Sequence, residues 1–108
     1  MRLLLDECVP EVLRRDFVGH TVESATHAGF KGLKNGQLLA AMAGKFDCLI
    51  TVDKSIPKQQ NLEKLKSLNL SIIILRARSN RYEDLKILVS EALNALESIG
   101  TGEVKEIT

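Results

Sequence analysis

The chain has no tryptophan, one tyrosine and three phenylalanines. So sparse an aromatic set leaves no platform on which successive nucleic-acid bases could stack. Two cysteines and two prolines exclude a disulfide-stapled scaffold and a proline-rich spacer. Charge of neither sign dominates, since 15 Lys and Arg face 14 Asp and Glu for a net charge of +1. The whole molecule is therefore no general attractor of polyanions. No apolar run approaches the ~20 residues that span a bilayer. No charged leader opens onto an apolar stretch, so no signal peptide is expected and a cytoplasmic location is. At 44% apolar and 27% charged residues, the composition is that of an ordinary folded chain. Its 108 residues suit one domain, 1–108, with a single core.

What is present is a set of short apolar runs, two of which end in an acid. Leu3-Leu4-Leu5 meets Asp6, and Leu49-Ile50-Thr51-Val52 meets Asp53. Residues 2–5 and 48–52 read as buried strands, 20–24 as another, and 70–75 as the most β-branched of all. The alternation of 103–107 predicts an edge strand. Between them, Pro10 suits the first turn of a short helix to Phe17, and 27–36 is a glycine-bearing loop. A helix is expected over 37–43 with Gly44 as its stop. Pro57 closes the loop after the third strand, and Asn61 is placed to cap a short helix to Leu68. The spacing of Leu85, Leu88, Val89, Ala92, Leu96 and Ile99 predicts one long helix over 81–98, stopped by Gly100. Asn80 and Glu83 have the spacing of a capping box for it.

Strands alternating with helices, and apolar on both faces, predict an α/β fold. A three-layer α/β/α arrangement with a mainly parallel sheet of four to five strands is expected. In such sheets ligands bind beyond the carboxyl ends of the strands, so Asp6 and Asp53 are expected at one rim. Two carboxylates together repel unless a cation or a shared proton intervenes. Mg²⁺ meets that need with oxygen ligands and retained waters, and Glu7 is a third oxygen donor. The plain alternative is that each aspartate starts a turn or caps a helix.

Arg76, Arg78 and Arg81 form a local basic patch. Arg76, directly after strand four, is expected at the same rim, where its planar fork suits phosphate; the alternative for all three arginines is that they are solvated or pair with Glu83 and Asp84. Lys54 either steers a nucleic-acid backbone or faces water. Gln59, Gln60 and Asn61 offer amides that turn roles explain equally well. His20 and His27 have no partner at metal-ligand spacing and read as loop residues. "GFKG" lacks the spacing of a phosphate-binding loop. Were strands one and three parallel, Cys8 and Cys48 would stand roughly 20 Å apart at ~3.3 Å per residue. That is too far for a disulfide, and free thiols are expected.

The segments "RLLLDECVP", "GHTVESATHAG", "GLKNGQLL", "FDCLITVDKSIPKQQNL" and "LRARSNRYEDL" together resemble a group of small bacterial PIN-like proteins over nearly the whole chain. The resemblance implies a PIN-like α/β fold whose acids hold Mg²⁺ or Mn²⁺ and cut RNA. It also implies the toxin of a toxin–antitoxin pair, with an antitoxin protein as partner; a homodimer is compatible with it. Carried over by position, Asp6 and Asp53 match the central metal-binding and catalytic acids. Arg76, Arg78 and Asn80 match the motif after strand four. Two positions depart from the pattern. An acid near the start of the middle helix is replaced by Asn35-Gly36-Gln37, where Asn35 could coordinate only through an amide oxygen. Ser55 stands where a further acid often follows. Fewer charges imply weaker metal binding, so a PIN-like domain that binds RNA or a protein partner without cutting is the alternative. The chain also resembles a phosphoacceptor receiver domain in its acids after strand one, Asp53 and Pro57. It departs from that pattern at Arg76 and at Lys105, which falls inside the last strand.

Overall fold

The computed structural model describes residues 1–56 and 62–108. The expected roles of Pro57, Gln59, Gln60 and Asn61 fall outside the described residues. Five strands, β1 (Arg2–Leu5), β2 (Thr21–Ser24), β3 (Cys48–Thr51), β4 (Ser71–Leu75) and β5 (Val104–Ile107), form one sheet in the order β2-β1-β3-β4-β5. Every neighbouring pair is parallel. The described helical segments are a 3₁₀ helix (Glu11–Asp16), α1 (Asn35–Met42), α2 (Leu62–Ser67), α3 (Tyr82–Lys86) and α4 (Val89–Leu96).

The apolar strands are buried on both faces, and alternation divides their side chains between two cores. Leu3, Leu5, Ile50, Ile73 and Leu75 pack with Leu13 and Phe17 of the first connection and with Leu85, Val89, Ala92 and Leu96 of α3 and α4. On the opposite face Leu4, Leu49, Ile72 and Ile74 pack with Leu38, Leu39 and Met42 of α1 and Leu65 of α2. The expected three-layer α/β/α class therefore holds, with five strands and a wholly parallel sheet. Burying one such leucine or isoleucine contributes about 2 kcal/mol. Among the described residues, no helix is long and apolar enough to cross a membrane.

Local departures from expectation have local causes. The helix predicted over 81–98 is two helices, because the Leu88 amide bonds to Leu85 O at 3.0 Å, a three-residue closure that tightens the chain between α3 and α4. The apolar stripe survives, with Leu85, Leu88, Val89, Ala92, Leu96 and Ile99 all buried. The capping box does not form. Arg81 is the N-cap residue and has no side-chain cap bond. Its amide bonds instead to Ser79 Oγ at 3.1 Å, and the Asn80 amide group donates to Cys8 O at 3.3 Å. The connection after β1 is 3₁₀ rather than α. Gly44 follows α1 at φ +80°, the left-handed conformation that lets glycine end a helix.

At the amino-terminal end of the sheet Asp47, just before β3, accepts from the Arg2 amide at 2.8 Å and from Arg2 Nη2 at 3.1 Å. The Arg2 guanidinium holds the Asp47 carboxyl below its ordinary range. That pair clips β1 to β3 at the end opposite the acidic rim.

Candidate functional site

The strand order reverses between β1 and β3: β1 leads outward to β2, whereas β3 leads to β4 and β5 on the other side. At such a reversal the connections diverge above the carboxyl ends and leave a crevice. Asp6 follows β1 directly, and its amide extends the ladder by donating to Ile50 O at 2.9 Å. Asp53 lies two residues beyond the end of β3. Both acids line one cleft of about 430 Å³ with Glu7, Lys34, Leu38 and Ser55.

Thr51 joins the two acidic segments. It is fully buried, its hydroxyl donates to Asp6 Oδ2 at 2.7 Å, and its oxygen accepts from the Asp53 amide at 3.0 Å. Cys8 Sγ lies 3.9 Å from the same hydroxyl oxygen. Burial first, and the nearby Asp6 charge in addition, push the Cys8 thiol above its ordinary value. Both cysteines are free, as expected.

Each aspartate also fills the turn role that was its plain alternative. Asp6 Oδ1 accepts from the Glu7 amide at 2.9 Å. Asp53 Oδ1 accepts from the Ser55 amide at 2.8 Å and from Ser55 Oγ at 2.6 Å. The remaining oxygen, Asp53 Oδ2, has no hydrogen bond among the described residues. Neither aspartate has an ion pair among the described residues.

Glu7 is exposed and accepts from the Gly32 amide at 3.2 Å, which commits one of its oxygens to the loop before α1. Among the described residues, no three His, Cys, Asp or Glu side chains gather as a metal-binding group. Asp6 and Asp53 line the cleft together, beside Glu7. Their chemistry, hard oxygen on partly solvated acids, fits a single Mg²⁺ or Mn²⁺ ion that keeps several waters and binds weakly. Asn35 opens α1; the coordination expected of its amide lies outside the described side chains.

The basic residues are not gathered at this cleft. Arg76 follows β4 at the carboxyl rim, as expected, but its guanidinium pairs with Glu106 of β5 at 3.5 Å, not with Glu83 or Asp84. Arg81 pairs with Glu83 at 3.7 Å. Arg78 and Lys54 are exposed and line neither cleft. Asn80 and Arg81 line a second cleft of about 450 Å³, which shares Glu7 and Cys8 with the first.

Two residues of the acidic cleft were not anticipated from sequence. Thr51 carried a signal, because it is the only polar residue of the buried strand Cys48–Thr51 and a buried hydroxyl needs a partner. Lys34 carried none, since its position depends on how the loop before α1 returns to the rim. The chain has no significant match to a protein-family model, to a curated protein or to a solved structure.

Proposed function

We propose that the protein is a PIN-like, Mg²⁺-dependent ribonuclease acting at the cleft between Asp6 and Asp53. The observation that carries this reading is the meeting of two acids, without ion pairs among the described residues and tied through one buried hydroxyl, at the strand-order reversal. Asp6 and Asp53 hold the ion, with Mn²⁺ as a substitute for Mg²⁺. Such an ion supplies positive charge to a phosphodiester and a more acidic bound water. Thr51 holds the Asp6 carboxylate in place through Oδ2. Arg76, Arg78, Lys54 and Asn80 are assigned to the flanking RNA backbone, with Arg76 released from a half-exposed pair that is cheap to break. Glu7, which lines the same cleft, would add negative charge beside the ion. A toxin role with an antitoxin partner, in the cytoplasm, belongs to the same proposal.

Two further readings each have an observation in their favour. Asn35 and not an acid opens α1, and Glu7 gives one oxygen to the Gly32 amide; the smaller negative charge favours a domain that binds RNA or a protein partner without cutting. The strand order β2-β1-β3-β4-β5 with Asp53 beyond the central strand is also that of phosphoacceptor folds. Against that reading, Lys105 lies within β5 and its Nζ reaches Ser98 Oγ at 3.4 Å rather than the cleft.

Incubating single-stranded RNA with the protein across a Mg²⁺ and Mn²⁺ titration separates the three. Metal-dependent cleavage lost in Asp53→Asn supports the ribonuclease. Binding without cleavage supports the non-cutting domain, and acetyl phosphate labelling of Asp53 supports the phosphoacceptor.

A further inference from the structure

Lys34 immediately precedes α1, is exposed, and lines the cleft beside Asp6 and Asp53. Among the described residues it is the only basic residue to do so. It also has no ion pair among them. Its ammonium shares the cleft with the carboxylates of Asp6, Glu7 and Asp53 and pairs with none of them. The other basic candidates are placed elsewhere: Arg76 is held by Glu106, and Arg81 faces the second cleft. Beyond the acids the wall is apolar, formed by Leu33, Leu38, Val52 and Ile56.

A cavity of about 430 Å³ is within the range that encloses a group of nucleotide size. Its lining combines charged groups with apolar side chains, as recognition of a nucleotide requires. We propose that Lys34 binds the phosphate of one nucleotide unit seated in this cleft, with its sugar or base against the apolar wall; this rests on the ribonuclease reading. A phosphate brought beside two carboxylates needs compensating positive charge, and a lysine supplies it as a mobile point charge. Lys34 is then the substrate-binding cation of the cleft itself, beside the arginines after β4 that are assigned to the flanking backbone.

The test is fluorescence anisotropy with a labelled single-stranded RNA dodecamer of mixed sequence, on the full chain carrying Asp53→Asn so that the probe stays intact. Adding Lys34→Ala is expected to weaken binding about fivefold at low salt. It is also expected to reduce the slope of log affinity against log salt by about 0.7, the signature of one lost phosphate contact on a single strand. Lys34→Arg restores most of both, and Lys86→Ala, which removes an equal charge from α3, changes neither. Unchanged affinity and slope in Lys34→Ala overturn the proposal, as does an equal loss in Lys86→Ala. RNA binding that ignores Lys34 overturns this proposal alone; no RNA binding by any variant overturns it together with the ribonuclease reading.

Discussion

The hydroxyl of fully buried Thr51 donates to Asp6 Oδ2 at 2.7 Å, so the first acid of the rim is held by the strand that carries the second. The same oxygen accepts from the Asp53 amide. One buried side chain thereby joins both acidic segments.

Thr51→Val keeps the shape and removes both bonds, leaving a carboxylate oxygen and an amide without their buried partner. The expected cost is about 1–3 kcal/mol, read from urea denaturation, and Thr51→Ser is expected to recover most of it. A valine variant as stable as the parent would contradict the role given to this hydroxyl.

The thiols are expected to differ in reactivity. Cys48 is fully buried in β3, and burial pushes its thiol up to about 11. Cys8 is half-buried at the rim and also raised. Because the thiolate is the reactive form, Ellman's reagent at pH 8 should label Cys8 slowly and Cys48 only on unfolding. Rapid labelling of two thiols in the native protein would refute the packing described for β3.

Asp47 gives the fold a dependence on acid. Its native pKa is held below the ordinary 3.8, first by its side-chain hydrogen bond with Arg2, so the unfolded chain takes up this proton more readily. The stability it contributes is complete above the unfolded value and is lost as pH falls through the lower native one. The difference in urea midpoint between parent and Asp47→Asn should therefore be constant above about pH 5 and shrink below about pH 4. The pair is partly exposed, so the difference should be small and screened by salt. A difference that grew on acidification would show that Arg2 does not stabilise the carboxylate.

The strands were legible because β1, β3 and β4 are apolar on both faces, which only a sheet covered on both sides requires. Their order was not, because pairing between distant segments leaves no trace in any one of them. The long helix was expected to run unbroken because its stripe is continuous; the tightening at Leu88 leaves that stripe intact and so hides from periodicity. The shared rim position of Asp6 and Asp53 was legible because an acid directly after an apolar run stands out. Arg76 was placed at the correct rim, but Glu106, its partner on the neighbouring strand, enters from a segment thirty residues away. Lys34 had no local pattern to reveal it.

Asp6 and Asp53 are proposed to serve one ion at one mouth of the sheet. Substoichiometric Mn²⁺ added to ¹⁵N-labelled protein tests this directly, because a bound paramagnetic ion broadens the amide signals nearest to it. Joint broadening of residues 6–8 and 51–55, lost in both Asp6→Asn and Asp53→Asn, is the predicted result. Broadening of only one of the two segments, or broadening centred on Glu106 and the end of β5, would contradict it.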